Sequence, residues 1–597
     1  MGGVASRNRG GVGRVGRRRV SGSISFTNSD RQLASVLRRR FGSPDDPELV
    51  SRIVMTLARA VREDHVALDL EAIVAAGRDA DVSLGSLETI TDALRATPAL
   101  CAFLGLNDDI VATGPPLVMI DGRFLYFRRL ATTERRVALA LRRAANSTLE
   151  LPSGLTRAGL DAALRAVHDD LAATGRQSPE LGGVVTKMLT RQISFITGGP
   201  GTGKTWIITQ ALRVLDLALA NEASGVPVSF AVAAPTGKAA RRVAESIDAA
   251  MGGEPFRALS RDLEREGSLH HLLGLRPDRL DAARSLTQDL VIVDEASMAD
   301  LNLIDLLLRS ANDVERPSRV VFIGDPSQLA SVNVGAVLAD AVDPTAGIED
   351  LVTRLRVAHR FGTERLTSFA AAIESGEADH VLDLLAAGEG GLRQMGDPDD
   401  PNVVERVLEH ARALASLAAT GDGDAALGTL RELTVLCANR EGRGSVAWWN
   451  DRVRDTITEI SAPVRGERFA VGEPVLVTRN QRSLGLSNGD VGVVVESAGE
   501  RVVVFDASRR FALGAIGNAE TAWAMTIHKS QGSEYRHVVV VLPRLKSPLL
   551  SRELLYTGVT RARDSVTVVG ELDTVREAVR HKVDRVSGLT YRLAATR

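Results

Sequence analysis

The chain has 597 residues, of which 44% are hydrophobic and 25% charged, and its formal net charge is −2. This length exceeds what one hydrophobic core supports and indicates roughly four domains. No apolar run approaches the roughly 18 residues that suggest a membrane span, and the Gly- and Arg-rich start lacks the apolar core of a secretory signal. The two cysteines, Cys101 and Cys437, form no disulfide or zinc framework. We therefore expect a cytoplasmic protein that does not coat nucleic acid through bulk positive charge.

The first part of the chain carries no group of residues typical of catalysis. Residues 1–25 hold several arginines among Gly, Ser and Val, which predicts a disordered basic tail or, alternatively, a phosphate-binding arm. Residues 26–150 have apolar residues mostly at helical spacing, with one β-hairpin predicted around Asp121-Gly122. This pattern favours a helical docking domain. We expect linker helices over 151–184.

From about residue 185 the pattern changes to short β-branched runs that alternate with helices, which is typical of a parallel α/β sheet. We predict one such domain over 185–345, with an insertion at about 251–285. A second domain is predicted from 346–465 and 516–597. Several short strands over 466–515 predict a small β-barrel inserted into that second domain. The strand runs are ISFIT, SFAVAA, LVIVDEA and RVVFIG in the first domain and LTVLC, HVVVVL and SVTVVG in the second.

A glycine-rich loop follows the first of these strands, in the order strand, loop and helix start. The spacing of two glycines followed by lysine and threonine matches a phosphate-binding P-loop. Glycines let backbone N–H groups converge on phosphate oxygens, and the helix N-terminus adds partial positive charge. We expect Lys204 to reach the β and γ phosphates of ATP and Thr205 to bind Mg²⁺. The predicted ATP-binding residues of this loop are Gly198, Gly199, Pro200, Gly201, Thr202, Gly203, Lys204 and Thr205.

Two acidic residues, Asp294 and Glu295, follow the apolar strand LVIV. A carboxylate at a strand end beside a P-loop holds Mg²⁺ in many NTPases. We therefore predict that Asp294 binds Mg²⁺ and that Glu295 orients and deprotonates the attacking water. A solvated acidic pair is the alternative. The two motifs together predict NTP hydrolysis without saying what the hydrolysis drives.

Further motifs narrow the function. In chain order they are APTGKAA, HHLLG, GDPSQLASV, HRF, TIHKSQGSE and LYTGVTRAR. Together with GGPGTGKT and DEASM, they resemble the RecD family of superfamily 1 helicases over about residues 185–597. The resemblance implies two RecA-like motor domains with ATP in the cleft between them, a 5′-to-3′ polarity, and an SH3-like identity for the barrel at 466–515.

The resemblance also implies roles for single residues. Gln328 of the first motor domain and Arg360 and Arg561 of the second are expected to contact the γ-phosphate, and Glu534 to contact ATP. The residues expected to line the path of single-stranded DNA are Thr236, Lys238, His270, Thr526, His528 and Lys529. One departure concerns adenine recognition, because PELGGVVTKML lacks the glutamine that many such helicases place before the P-loop strand. Gln192 lies too near the strand to replace it.

The partners are also implied by the resemblance. A RecD-type subunit works in a heterotrimer with RecB-like and RecC-like chains, in double-strand break repair and recombination, and the nuclease centre is expected on a partner. Two alternatives remain open, namely a free-standing RecD-like helicase and an ATP-binding structural subunit with a silent motor. The N-terminal region shows no helix–hairpin–helix glycines, which favours the subunit.

Overall fold

The computed structural model describes most of the chain in thirteen segments. They are residues 26–41, 46–76, 84–111, 113–221, 227–251, 255–276, 279, 283–312, 317–331, 333–355, 363–460, 468–497 and 499–595. The predicted basic tail at 1–25 lies outside these residues. The chain separates into two compact units, one running to Arg135 and including Val586–Gly588, the other holding the remainder. No helix of the described residues is long and apolar enough to span a bilayer.

The first unit combines helices with a small sheet. Its elements are α1 (Asn28–Phe41), α2 (Pro47–Arg62), β1 (Leu68–Asp69), α3 (Leu70–Ala76), α4 (Leu87–Arg95), β2 (Cys101–Leu104), β3 (Leu117–Ile120) and β4 (Phe124–Phe127), and α5 (Arg128–Asn146) follows. The sheet has the order β1-β4-β3-β2, in which only β2 and β3 are parallel. The predicted hairpin is confirmed, and its turn residues Asp121 and Gly122 both have positive φ.

One prediction for this part of the chain needs correction. The helical domain contains two strands besides those of the predicted hairpin, namely β1 and β2, because runs of two to four residues carry too little periodicity to be distinguished from helix. Within 151–184, where linker helices were predicted, the structure has α6 (Arg157–Ala173) and the start of α7 (Leu181–Thr190). Apolar residues of both helices belong to the same buried cluster as the strand that precedes the P-loop.

The first parallel sheet follows directly. Its elements are β5 (Ile193–Thr197), α8 (Lys204–Ala220), β6 (Val228–Ala234), α9 (Gly237–Ala250), β7 (Leu259–Arg261), β8 (Gly267–Ser268), α10 (Leu269–Leu272), β9 (Leu290–Val293), α11 (Leu301–Ala311), β10 (Arg319–Gly324), α12 (Val337–Val342) and β11 (Val352–Arg354). The strand order is β11-β5-β10-β9-β6-β7, with β8 also paired to β6. We call this sheet and its helices the first lobe. Its central strands are continuously apolar because helices cover both faces.

The rest of the second unit contains two further sheets. In chain order the elements are α13 (Glu364–Ser375), α14 (Ala378–Ala387), β12 (Leu392–Met395), α15 (Pro401–Ala419), α16 (Gly423–Leu430), β13 (Leu433–Cys437), α17 (Val446–Ile460), β14 (Pro474–Val477), β15 (Val491–Ser497), β16 (Glu500–Val504), β17 (Arg510–Ala512), β18 (Ala519–Thr521), β19 (Ala524–Thr526), β20 (Tyr535–Val541), α18 (Arg552–Val559), β21 (Ala562–Val569), α19 (Leu572–Arg580) and α20 (Leu589–Ala594).

These elements form one parallel and one antiparallel sheet. The parallel sheet has the order β12-β21-β20-β13-β19, and we call it and its helices the second lobe. The antiparallel sheet has the order β17-β16-β15-β14-β18 and lies within the sequence of the second lobe, as the alternating strand pattern predicts. It ends at Thr521, beyond residue 515, because the third strand of the predicted set is followed by two more.

Asp216 fixes the P-loop helix α8 to the next part of the chain. Its buried carboxylate accepts hydrogen bonds from the backbone N–H groups of Arg257, Ala258 and Leu259, at 3.1, 2.7 and 3.0 Å. We expect Asp216→Ala to lower the free energy of unfolding by about 2–3 kcal/mol, because three backbone donors lose their shared acceptor. Thermal unfolding measures this loss. The matched control is Asp170→Ala, which removes only a surface ion pair to Arg213. Equal effects of the two changes would contradict the prediction.

Candidate functional site

The loop between β5 and α8 has the backbone geometry of an anion cradle. Gly201 and Gly203 both have φ of 78°, a conformation that residues with a side chain rarely adopt. A Cβ atom on Gly198 would lie 2.6 Å from Thr202 Oγ1 and 2.9 Å from the carbonyl oxygen of Leu355. The loop therefore needs glycine at these positions, and it leads into the N-terminus of α8 at Lys204.

Lys204 lies over this loop. Its ammonium donates hydrogen bonds to the carbonyl oxygens of Gly198 and Gly199, at 2.7 and 2.8 Å. Thr205 occupies the next position of the first turn of α8. The structure thus brings the predicted P-loop residues together in one short loop, and the Lys204 ammonium lies against the carbonyl oxygens of that loop.

The acidic pair Asp294 and Glu295 follows β9, whose neighbour β10 pairs in turn with the P-loop strand β5. Burial and the adjacent Glu295 raise the pKa of Asp294 to about 7, although Lys204 and Arg242 favour its ionised form. Glu295 has φ of 49° and ψ of 40°, a left-handed conformation that costs about 1–3 kcal/mol in a residue with a side chain. Such strain is typical of functional positions.

These residues fit a divalent cation bound together with phosphate. Across the described segments no group of three or more His, Cys, Asp or Glu side chains could hold a metal ion. Mg²⁺ commonly uses one or two protein ligands and completes its shell with substrate phosphates and water. A desolvated carboxylate at Asp294 and a hydroxyl at Thr205 match that donor set.

The second lobe reaches this site through Arg561. This residue is 2% exposed, and its Nη2 donates a hydrogen bond of 2.9 Å to Gln328 Oε1 of the first lobe. Its Nε donates to the carbonyl oxygen of Thr557 at 3.1 Å. Gln328 in turn donates from Nε2 to Asp325 at 3.1 Å. The predicted γ-phosphate contacts Gln328 and Arg561 therefore touch each other across the cleft.

Tyr556 and Asp325 are functional candidates that sequence reasoning did not single out. The Tyr556 hydroxyl donates to Asp325 at 3.3 Å, and it lies 3.2 Å from where a Cβ of Gly199 would stand. Burial raises the pKa of Asp325, although nearby Lys204 favours its ionised form. Asp325 lies in the motif GDPSQLASV and Tyr556 in LYTGVTRAR. Their positions close to Gln328 and Arg561 in these motifs could have marked them as candidates.

Arg242 is a third such candidate. It donates to the carbonyl oxygen of Gly532 at 2.8 Å and forms an ion pair with Glu534, the residue expected to contact ATP. Burial lowers the pKa of Arg242, whereas the carboxylates of Glu295 and Asp294 favour its charged form. Arg242 therefore lies between the acidic pair of the first lobe and the 532–534 segment of the second. The motif APTGKAARRV contains it, but the sequence does not distinguish it from its neighbour Arg241.

The residues expected on the DNA path occupy loops and helix starts near the cleft. Thr236 caps α9, its hydroxyl accepting from the backbone of Ala239 at 3.3 Å. Lys238 donates to Ser533 Oγ at 2.7 Å, and burial lowers its pKa to about 8. Lys238 is thus held between the lobes, while part of its surface still meets solvent.

The second group lies in the segment 526–529. Thr526 caps a short 3₁₀ turn by accepting from the backbone of Lys529 at 3.4 Å, and the Lys529 ammonium forms an ion pair with Glu520. His528 is half-buried, and burial together with Arg585 and Arg440 lowers its pKa.

Two further positions considered in the sequence analysis, His270 and Gln192, stand apart from this cluster, and a third cannot be placed. His270 is exposed at the start of α10, with no hydrogen bond that joins it to the other candidates. Arg360 lies outside the described residues. Gln192 donates to Asn312 at 3.4 Å, at the opposite end of β5 from the P-loop, which agrees with its exclusion as an adenine contact.

Lys204→Gln tests the P-loop assignment. We expect nucleotide turnover to fall by roughly 10²-fold or more, because the substitution removes the positive charge that the loop directs at the transferred phosphate. Steady-state ATPase assays with single-stranded DNA measure this. The control is Lys546→Gln, at an exposed lysine outside the site. Near-normal turnover of Lys204→Gln would refute the assignment.

Arg561→Ala tests the contact from the second lobe. We expect hydrolysis to fall by roughly 10³-fold, the lower range for an arginine that stabilises phosphoryl transfer. Affinity for a non-hydrolysable ATP analogue should be retained, because the P-loop is intact. Arg561→Lys should restore little, since lysine lacks the bidentate fork. Arg563→Ala is the control, at a side chain that is 66% exposed. Equal loss of binding and hydrolysis would indicate a folding defect instead.

Family models and solved structures match parts of this chain. Residues 180–396 match a family model described as an AAA domain, and residues 521–569 match the UvrD-like helicase C-terminal domain. Among solved structures, Bacteroides Pif1 bound to ssDNA overlaps 66% of this chain and 91% of its own, at 18% identity and a TM-score of 0.39.

Two RecD subunits match this chain over more than nine tenths of its length. The RecBCD enzyme subunit RecD of Mycobacterium tuberculosis is 37% identical over 579 residues, which is 95% of both chains. The same subunit of Mycolicibacterium smegmatis is 37% identical over 92% of this chain and 94% of its own. The ATP-dependent RecD2 DNA helicase of Deinococcus radiodurans is 29% identical over 70% of this chain and 52% of its own. The chain therefore belongs to the RecD family.

Proposed function

We propose that this chain is the RecD-type motor subunit of a RecBCD-type helicase–nuclease, an ATP-dependent DNA helicase that moves 5′ to 3′ along a single strand. The helicase class follows from membership of the RecD family. The observation that carries the motor assignment is the contact between Arg561 of the second lobe and Gln328 of the first, beside Lys204 and the acidic pair.

Each residue has a distinct part in hydrolysis. Lys204 and the backbone N–H groups of the P-loop hold the β and γ phosphates of ATP. Thr205 and Asp294 would hold Mg²⁺, which would neutralise phosphate charge. Glu295, whose backbone is in a left-handed conformation, orients the attacking water and accepts its proton. Arg561 stabilises the charge that develops on the transferred group, and Gln328 positions it.

Hydrolysis moves the strand because the two sides of the ATP site belong to different lobes, the P-loop to the first and Arg561 to the second. Loss of the γ-phosphate removes the anion that attracts Arg561 toward the P-loop, so the lobes separate and then close again on new ATP. Thr236 and Lys238 of the first lobe and Thr526, His528 and Lys529 of the second would contact phosphates of the strand. Such contacts position a strand without reading its sequence.

Finer features of the architecture belong to the same proposal. The antiparallel sheet at 474–521 corresponds to the SH3-like insertion of this helicase branch, and its turn at 485–490 lies against the start of α9. Arg241 of α9 donates to Asp490 at 3.0 Å and to the carbonyl oxygen of Gly485 at 3.0 Å. The sheet thus bridges the two lobes beside the proposed strand path. The N-terminal unit would dock on partner chains.

The subunit assignment is favoured over a free-standing helicase. The RecD subunits match at 37% identity over 95% of both chains, whereas the match to the RecD2 helicase falls to 29% and covers 52% of that protein. We therefore expect RecB-like and RecC-like partners. A silent ATP-binding subunit is disfavoured, since the P-loop lysine, the acidic pair, Gln328 and Arg561 are all retained and Arg561 contacts Gln328 across the cleft.

Unwinding assays test the motor and its direction. The chain should unwind a duplex with a 5′ single-stranded tail and fail on the same duplex with a 3′ tail, while Lys204→Gln should be inactive on both. Preference for the 3′ tail would overturn the polarity. Co-purification of the native chain followed by mass identification tests the partners. Recovery as a lone, fully active helicase would overturn the subunit assignment.

A further inference from the structure

The C-terminal part of the chain is attached to both lobes. Residues 581–583 are fixed to α18 of the second lobe, where the backbone N–H of Val583 donates to Glu553 Oε2 at 3.1 Å. Two residues further on, Arg585 already contacts the first lobe. The last helix, α20, packs against α12 of the first lobe. The chain therefore passes from one lobe to the other within a few residues of Arg585.

The part of the first lobe that Arg585 contacts is the loop between β10 and α12. This loop contains Gln328, the proposed γ-phosphate contact. We call its residues 328–331 and 333–335 the Gln328 loop. Because Gln328 lies at the start of this loop, the conformation of the loop decides where the amide of Gln328 points.

Arg585 binds three oxygen atoms of the Gln328 loop. Its Nη1 donates to Ser331 Oγ at 3.2 Å and to the carbonyl oxygens of Asn333 and Gly335 at 3.0 and 3.1 Å. The buried Ser331 hydroxyl donates to the same two carbonyl oxygens, at 2.7 and 3.0 Å. The half-buried guanidinium thus holds one turn of the loop in a fixed conformation.

The second lobe also holds the start of the loop. The backbone N–H of Leu329 donates to Thr557 Oγ1 at 2.9 Å, and the Leu329 carbonyl oxygen accepts from Gln531 Nε2 at 3.0 Å. Thr557 belongs to α18, the helix to which the 581–583 segment is attached. The Gln328 loop is therefore held near both of its ends by residues that follow one another from α18 or lie on it.

We propose that Arg585 is a positioning residue for ATP hydrolysis, which holds the Gln328 loop so that Gln328 faces the γ-phosphate when the lobes are close. The proposal rests on the proposed motor function and deepens it. Arginine suits this task because its guanidinium is always charged and offers several N–H donors in a fixed geometry. Without the guanidinium the loop would take other conformations, so the chemical step would slow while the P-loop still binds ATP.

A direct contact of Arg585 with the DNA strand is the competing role. Burial and the charges of Arg585 and Arg440 lower the pKa of His528, a proposed strand contact, so Arg585 lies within electrostatic reach of it. The hydrogen bonds of Nη1 to the Gln328 loop favour the positioning role. The two roles predict different defects, because a strand contact changes DNA affinity, whereas a positioning residue changes turnover after DNA and ATP are bound.

Steady-state ATP hydrolysis by the full-length chain at saturating single-stranded DNA tests this role. Arg585→Ala should lower kcat about tenfold, because even a misplacement of about 1 Å can cost roughly 10²-fold. The KM for ATP and the affinity for an oligothymidylate should stay near their wild-type values. Arg585→Lys should restore most of kcat, since an ammonium offers three donors to the three loop oxygens. The control is Arg580→Ala, at an arginine of α19 that is 57% exposed.

A double-mutant cycle tests whether Arg585 acts through Gln328. In the Gln328→Ala chain the loop has no amide to position. Adding Arg585→Ala should therefore lower kcat by less than about twofold more, whereas two independent contributions would multiply. Thermal unfolding of each variant checks that it is folded.

The outcomes separate this inference from the proposed function. Wild-type kcat in Arg585→Ala would overturn the positioning role, as would equal losses in Arg585→Ala and Arg585→Lys. Weaker DNA binding with a smaller salt dependence, at unchanged kcat with saturating DNA, would assign Arg585 to the strand and overturn it too. A further loss by the full factor in the double variant would show action independent of Gln328, which also contradicts the proposal. If the wild-type chain hydrolyses no ATP, the proposed motor function itself fails.

Discussion

The structure depends on a buried guanidinium that has no carboxylate partner among the described residues. Arg561 is 2% exposed, and its hydrogen bonds go to the amide oxygen of Gln328 and to the carbonyl oxygens of Thr557 and Ser533. These acceptors are neutral and bring no negative charge to the guanidinium. A buried charge of this kind is costly, and it attracts any anion that can approach it. The proposed anion is the γ-phosphate of ATP, and its binding would draw the second lobe toward the first.

The carboxylates on the other side of the cleft are also unfavourably buried before ligands bind. Asp294 and Glu295 are adjacent carboxylates in a desolvated place, which is why the pKa of Asp294 rises to about 7. Burial also raises the pKa of Asp325, which follows the neighbouring strand β10. A bound Mg²⁺ ion would relieve this repulsion, so nucleotide and cation binding would stabilise both sides of the cleft together. Preorganised charges that are uncompensated before binding are what make such a site selective for a charged transition state.

The P-loop, the parallel sheets and the hairpin could be predicted from the sequence, because each depends on residues that are close together in the chain. A P-loop is a local structure, so its residues and spacing alone specify the glycine conformations that the structure has at Gly201 and Gly203. The parallel sheets were equally visible, because strands covered on both faces are continuously apolar. The hairpin at Asp121-Gly122 was found because a two-residue turn with positive φ needs such residues.

The features that sequence reasoning missed are tertiary. Arg241 and Arg242 are neighbours in the same helix, yet one contacts the antiparallel sheet and the other contacts Glu534, a difference set only by the helix face. The packing of α6 and α7 into the first core depends on residues far apart in the chain.

Arg242 connects the acidic pair of the ATP site with the 532–534 segment of the second lobe, and this has a consequence for coupling. Its guanidinium is attracted by Glu295 and Asp294 on one side and pairs with Glu534 on the other. Binding of Mg²⁺ at Asp294 would weaken the attraction on the first side and leave Arg242 more firmly with Glu534. That shift would hold the 532–534 segment in place, and with it the hydrogen bond between Ser533 and Lys238. Coupling between two ligands is reciprocal, so a strand phosphate held at Lys238 would in turn favour the arrangement of Arg242 that accompanies bound nucleotide. Stimulation of hydrolysis by DNA would then need no long pathway, because a single short segment joins the two sites.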